Sequence, residues 1–143
     1  QGAAMLGGVG GHAGLFSNAT DLAAIMQMFL NGGEYAGQRF VNEDVVKKYT
    51  ACQFCPTNRR GAGFDKPVRD LNGGPTCNLV SLESFGHSGF TGTLSWADPF
   101  NGINYVFLSN RVYPDAENRK LINMDIRTEI QRIIYEAVNA AEL

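Results

Sequence analysis

Gly86-His87-Ser88-Gly89-Phe90-Thr91-Gly92-Thr93-Leu94-Ser95-Trp96-Ala97-Asp98, continued by Pro99-Phe100-Asn101-Gly102 and Ile103-Asn104-Tyr105-Val106-Phe107-Leu108-Ser109-Asn110, carries the plan of the chain. Thr91 to Asp98 reads as a strand, Asn101-Gly102 is a hairpin signal, and Ile103 to Asn110 returns as the partner strand. The return strand sets Ile103, Tyr105 and Phe107 on one face and Val106 and Leu108 on the other. Both faces are apolar, which predicts a hairpin inside a sheet with helices covering at least one side. The run from Gly86 to Gly92 leads straight into this hairpin and holds a histidine, a hydroxyl and open backbone N–H groups. Glycines without a Cβ let a small ligand approach such a backbone closely.

Arg119 to Ala141 reads as one amphipathic helix. Ile122, Ile126, Ile130, Ile133, Ile134 and Ala137 form its stripe, opposed by Arg127, Glu129, Arg132 and Glu136. Upstream, Asn18 is an N-cap with Asp21 at N3, followed by Leu22, Ile25, Met26 and Phe29 at helical spacing and the stop Asn31-Gly32-Gly33. A second short helix starts after Asn42 and carries Val45, Val46 and Tyr49. Residues 51–85 read as loop, with one short strand at Gly63-Phe64. The fold class is α+β, with an antiparallel hairpin packed against a long C-terminal helix and additional N-terminal helices.

The chain has 143 residues, 44% hydrophobic and 18% charged, with a formal net charge of −2. That is the size of one domain, and no internal repeat divides it. No basic stripe points to nucleic acid, and the Arg59-Arg60 pair reads as a solvated loop. No apolar run approaches the ~18 residues of a membrane span. The sequence starts at Gln1 without an initiator Met and reads as a piece of something longer. Gly8, Gly10 and Ala13 fit a loose dinucleotide pattern but lack a strand before them and a helix opening from them, so no cofactor is expected. That lead-in reads as a loop packed under a site, with His12 as a packing histidine.

Three cysteines leave alternatives open. Cys52-x-x-Cys55 fits half of a zinc site or a redox pair, a disulfide from Cys77 to one of the pair is another arrangement, and buried thiols are a third. A closed zinc site needs four ligands and no second C-x-x-C occurs, so no metal is expected.

For nucleophilic catalysis a serine and a histidine must reach each other. Ser88 directly follows His87, and neighbours on an extended segment point to opposite sides, so they do not form such a pair. No G-x-S-x-G, S-x-x-K or H-E-x-x-H is present, and no acidic residues cluster with either histidine. The residues amount to half of an active site.

The segment Gly86 to Gly92, the hairpin after it and Leu108-Ser109-Asn110-Arg111-Val112-Tyr113-Pro114 resemble the serine β-lactamase and penicillin-binding protein superfamily, in particular its class C and esterase-like branch. Gly11-His12-Ala13-Gly14-Leu15-Phe16-Ser17 followed by Asp21-Leu22-Ala23 is similar to that branch's lead into its helical region. The resemblance implies a single partial domain over residues 1–143, a fragment of the β-lactamase/transpeptidase-like fold. His87-Ser88-Gly89 matches the family's third motif, K-T-G or H-x-G, at a sheet edge. By resemblance, His87 polarises the network around nucleophile and substrate, Ser88 binds a substrate carboxylate or carbonyl, and the backbone N–H of Phe90 serves the oxyanion hole. Gly89 keeps the strand surface open, and Thr91 joins the substrate-binding residues. The family's S-x-x-K and Y-x-N are absent, and a histidine stands where K-T-G has lysine, which points to an esterase, peptidase or amidase. The resemblance further implies an extracytoplasmic protein with a small-molecule or peptidoglycan-like substrate, in some relatives following a family 3 glycoside hydrolase. The isolated chain is then expected to be inactive and to self-associate. The other reading is a non-catalytic module that binds cell-wall fragments.

Overall fold

The computed structural model describes residues 2–8, 10, 13–55, 57–68 and 74–141. In chain order the elements are α1 (Gly2–Met5), α2 (Ala19–Leu30), β1 (Glu34–Tyr35), β2 (Gln38–Arg39), α3 (Glu43–Thr50), β3 (Phe85–Ser88), β4 (Leu94–Asp98), β5 (Ile103–Phe107), α4 (Lys120–Asn123) and α5 (Ile126–Ala141). β1 and β2 form a small hairpin, and β3-β4-β5 form an antiparallel sheet in sequence order.

Register explains the two-sided core. Leu94 pairs with Phe107, Trp96 with Tyr105 and Asp98 with Ile103, so these six side chains share one face. Leu94, Trp96 and Tyr105 are buried there against Ile134 of α5. The opposite face carries Phe85 and Ala97, paired in register and buried with Met26 of α2. Phe64 wedges beside them, its ring edge-on to Phe29 at 5.3 Å and to Phe85 at 5.0 Å. The Asn18 side chain caps α2 by accepting from the Asp21 N–H at 3.0 Å, as the sequence predicts. Asn104 Nδ2 donates to the Ala23 carbonyl at 2.8 Å and pins α2 to β5.

Asp98 is the polar hub of the α5 face. Fully buried, it accepts from the Ser81 N–H at 2.8 Å, the Ser81 hydroxyl at 2.6 Å, Asn101 Nδ2 at 2.8 Å and the Tyr135 hydroxyl at 2.8 Å. Burial pushes its carboxyl up, but the bonds from Ser81, Asn101 and Tyr135 outweigh this and hold it below its ordinary value. Trp96 Nε1 donates to Ser84 Oγ at 2.9 Å, and Ser84 Oγ to the Ser81 carbonyl at 2.7 Å, so the 81–84 loop closes that end of the sheet.

Three expectations are corrected. The C-terminal helix is broken at Asp125, which takes a positive φ of 48°, and α5 buries Gln131 and Tyr135. Ile122, Ile130 and Ile133 of the expected stripe are exposed. The rotation of α5 is set by hydrogen bonds, since Tyr135 reaches Asp98 and Gln131 Oε1 accepts the Cys77 N–H at 2.9 Å. Gly63-Phe64 is not a strand; Gly63 turns at φ 111°, and isolated bridges join Cys52 to Gly61, Arg60 to Asp65 and Asp65 to Gly86. The disulfide joins Cys52 to Cys55, while Cys77 is a free thiol buried with Val80 and Tyr135. This removes Cys77 from any pairing and occupies the two sulfurs a zinc site would have needed. Beside the lead-in, Leu15 and Phe16 stand exposed; His12 lies outside the described residues. Among the described residues no helix is long and apolar enough to cross a membrane.

Candidate functional site

The glycine-punctuated run folds as the end of β3 and a tight turn. Gly86 is central to it: its N–H donates to the Asp65 carbonyl at 3.1 Å, and its carbonyl accepts the Asp65 N–H at 2.7 Å. A Cβ at Gly86 would lie 2.5 Å from Trp96 Cε3 and 2.8 Å from Trp96 Cα, so only glycine fits beneath the buried indole. After Ser88 the chain turns through residues 89–92, closed by Gly89 N–H to the Thr93 carbonyl at 2.8 Å and Gly92 N–H to the Gly89 carbonyl at 3.0 Å. Gly92 has φ 95°, a left-handed conformation that favours glycine.

Two arginines clamp this turn. Arg111 Nε donates to the Phe90 carbonyl at 2.9 Å, its backbone N–H donates to the Thr91 carbonyl at 2.9 Å, and its guanidinium lies 4.8 Å from the Phe90 ring centroid. Arg127 Nη1 donates to the Gly92 and Thr93 carbonyls at 3.3 and 3.1 Å. The Ser109 hydroxyl adds a bond to the Thr91 carbonyl at 3.0 Å. Arg127 therefore does not belong to a purely solvated helix face, and Arg111 is the anchor of the turn. Clamping the carbonyls leaves the opposite edge of the turn open: among the described residues no acceptor takes the Phe90 N–H. The Phe90 side chain is 77% exposed beside it.

His87 and Ser88 point to opposite faces, as alternation requires. His87 pairs with Ser95 on the α2 face, and Ser88 with Leu94 on the α5 face. The His87 ring is exposed, with Nδ1 2.7 Å from the Ser88 carbonyl and Nε2 3.9 Å from Asp65 Oδ1. Asp65 is buried and ion-paired with Arg59 at 2.9 Å and with Arg60. Among the described residues Arg59 Nη1 and Asp65 Oδ1 have no hydrogen-bond partner besides these ion-pair contacts. An acidic residue thus does sit beside a histidine, contrary to the sequence reading. Next to it, the buried Lys66 donates to the Glu83 carbonyl at 2.7 Å. Burial pushes the Lys66 ammonium down to about 8, against the opposing pull of Glu83 and Asp98.

His87, Ser88, Gly89, Phe90 and Thr91 therefore lie together at one end of the sheet. Asp65, Arg59, Arg60, Arg111 and Arg127 reach that end from elsewhere in the chain. No local spacing announces them; only the Asp65–Gly86 bridge and the packing of α5 bring them in. The turn offers an uncommitted Phe90 N–H with the clamping arginines behind it, while the Ser88 hydroxyl and the His87 imidazole leave the strand beside it on opposite faces.

A family model described as beta-lactamase matches residues 1–126. The chain belongs to the beta-lactamase family. It is 40% identical over 125 residues to a putative D-alanyl-D-alanine carboxypeptidase of Escherichia coli strain K12, a match covering 83% of this chain and 27% of that protein. A protein of the same description from Salmonella newport strain SL254 is 39% identical over 121 residues, covering 81% of this chain and 27% of that one. A crystal structure of a novel penicillin-binding protein homolog from Caulobacter crescentus is 28% identical with a TM-score of 0.49, covering 62% of this chain and 24% of the other. This beta-lactamase-family chain thus spans about a quarter of the length of the curated relatives it matches, with the mixed helices and antiparallel strands of that family.

Proposed function

We propose that the chain is the C-terminal part of a serine hydrolase domain of the β-lactamase and penicillin-binding protein type, in its class C and esterase-like branch. In this reading it acts through an acyl-enzyme on an ester, peptide or amide. The observation that carries the reading is the H-S-G sequence at the end of β3, followed by a clamped turn with an uncommitted Phe90 N–H.

In this reading a serine from outside these residues attacks the substrate carbonyl. Negative charge then develops on the carbonyl oxygen, where the Phe90 N–H donates. One such oxyanion donor contributes about 3–4 kcal/mol to the barrier when it is rigidly placed, and Arg111 and Arg127 supply that rigidity. As the carbon–leaving-group bond breaks, the leaving group takes the proton the attacking serine gave up, and water later hydrolyses the acyl-serine ester, releasing the acid and restoring the hydroxyl. Ser88 binds the substrate carboxylate or carbonyl, Gly89 and Thr91 line the approach, and His87 polarises the network. The relatives' description as putative D-alanyl-D-alanine carboxypeptidases supports cell-wall peptides as substrate class and an extracytoplasmic location. The same reading allows a family 3 glycoside hydrolase ahead of this domain.

The isolated chain is then inactive and self-associates through exposed Ile122, Ile130 and Ile133, a face that further residues of the domain would cover. The test is acylation of the full-length protein by a fluorescent penicillin or fluorophosphonate. Labelling of a serine in an upstream S-x-x-K, lost on changing that serine, supports the hydrolase. A full-length protein without S-x-x-K and Y-x-N overturns it in favour of a module that binds cell-wall fragments.

A further inference from the structure

Phe90 presents its side chain to solvent next to its own uncommitted N–H. Exposed aromatic rings that stand alone are ordinary on a protein surface, and Phe16, Phe100 and Tyr113 are as exposed or more so. Phe90 differs from them in being held. The Arg111 guanidinium lies 4.8 Å from the centre of its ring, and among the described residues no other cation stacks on an exposed aromatic. Arg111 is itself anchored, because Nε donates to the Phe90 carbonyl at 2.9 Å and Nη1 to the Ala116 carbonyl at 3.3 Å. The backbone on either side is tied by the Gly89 N–H to the Thr93 carbonyl and by the Arg111 N–H to the Thr91 carbonyl. Arg111 thus occupies one face of the ring, and the rest of the side chain stands open in a set position.

Ring and N–H branch from one Cα, so an acyl oxygen that meets the N–H brings the groups on its carbonyl carbon within side-chain reach of the ring. In the hydrolase reading Ser88 takes a carboxylate or carbonyl two residues earlier, which leaves the Phe90 end of the turn to the acyl part. An aromatic group gains most against such a surface, since paired rings attract beyond the area they bury. A contact surface that is already ordered also costs little to use. We propose that the Phe90 side chain is a specificity-determining residue of the hydrolase. Its open face receives an apolar, above all aromatic, substituent on the acyl part of the substrate, and Arg111 holds the ring from behind. This rests on the reading of the chain as part of an acyl-transferring enzyme and adds a substrate class to it.

The experiment measures kcat/KM of the full-length protein for p-nitrophenyl phenylacetate and p-nitrophenyl acetate, with and without Phe90→Ala. Both esters release p-nitrophenolate as the serine ester forms, so they differ only in the acyl substituent. Alanine keeps the backbone N–H and removes the ring. The ratio of phenylacetate to acetate is expected to fall about tenfold in F90A, the low end of what one apolar contact discriminates. A ring that only stiffens the turn, or packs against the rest of the domain, would lower both esters equally, since kcat/KM reports transition-state stabilisation shared by the two. Equal losses, or a ratio unmoved, therefore overturn the inference and leave the hydrolase standing. If F90A does not fold, Phe90→Leu keeps apolar bulk without the flat face; it should shift the ratio the same way by less, and a ratio no lower than the parent's refutes the inference. A parent protein no faster than its variant lacking the S-x-x-K serine sinks the hydrolase reading and the inference with it.

Discussion

Replacing Asp98 by Asn should destabilise the protein more than any change at the candidate site. Asp98 Oδ1 receives the Ser81 hydroxyl at 2.6 Å and the Phe100 and Asn101 N–H groups at 3.1 and 3.3 Å. Oδ2 receives the Ser81 N–H, Asn101 Nδ2 and the Tyr135 hydroxyl, each at 2.8 Å. An amide offers one acceptor oxygen, so one set of three donors meets an NH₂ group instead. Hydrogen bonds to a charged group contribute about 1.5–3 kcal/mol each, and a buried donor left unmatched costs about 1–3 kcal/mol. Geometric relaxation and water rescue part of this, giving an expected loss of about 4 kcal/mol, or roughly 12 °C in Tm for a chain of this size. Tyr135→Phe removes one of the six donors and should cost about 2 kcal/mol, and the double variant should fall short of the sum because both changes break the same bond.

The pH dependence has a definite sign. Asp98 titrates below its ordinary value in the folded state, so its contribution is complete above that ordinary value and is lost as pH falls through the lower, folded one. D98N should therefore show a flatter acid limb. Urea unfolding followed by the fluorescence of Trp96, the single tryptophan, provides the assay, since its buried ring is bonded to Ser84 beside this network. A D98N protein within about 1 kcal/mol of the parent at neutral pH, outside the range expected for a broken buried network, would refute the reasoning.

Three further outcomes follow from single environments. With Lys66 held down to about 8 from 10.5, the folded state binds fewer protons than the unfolded one between those values. Stability should therefore rise with pH across that window by about 3 kcal/mol; Lys66→Met should flatten the rise, and parallel curves would refute the assignment. Gly92→Ala forces a side chain into φ 95° and brings its Cβ to 2.5 Å from Ser109 Oγ. Thermal unfolding should show a loss of about 1–3 kcal/mol, and a variant as stable as the parent would contradict the turn geometry. Reducing the Cys52–Cys55 bond, which closes a short loop, should cost about 2 kcal/mol or less. Alkylation followed by mass spectrometry should mark those two thiols at once and Cys77 only on unfolding, because Cys77 is buried and burial pushes its thiol up.

Much of the fold is written in local pattern. The Asn18 cap and the helix through Met26 and Phe29 follow from capping and spacing within a few residues, and the helix after Asn42 from its apolar spacing. The β4–β5 hairpin follows from Asn101-Gly102 and from apolar alternation that leaves both faces in need of cover. The C-terminal helix shows where pattern stops. Its isoleucine stripe was the obvious buried face, yet Ile133 is 57% exposed and Gln131 is fully buried. A hydrophobic pattern gives the width of a stripe, whereas a specific partner, here Asp98 for Tyr135 and Cys77 for Gln131, sets its angle.

The candidate site divides in the same way. His87, Ser88, Gly89, Phe90 and Thr91 are contiguous, so their meeting at one end of the sheet is legible in the sequence, as is the placing of His87 and Ser88 on opposite faces, because a strand alternates. The second arm of the site is long-range. Asp65 reaches His87 through a backbone bridge to Gly86, and Arg111 and Arg127 reach the turn from beyond β5. These pairings depend on which loops close over which strands. That choice is made by burial and hydrogen bonding summed over the whole fold, so only the tertiary structure decides it.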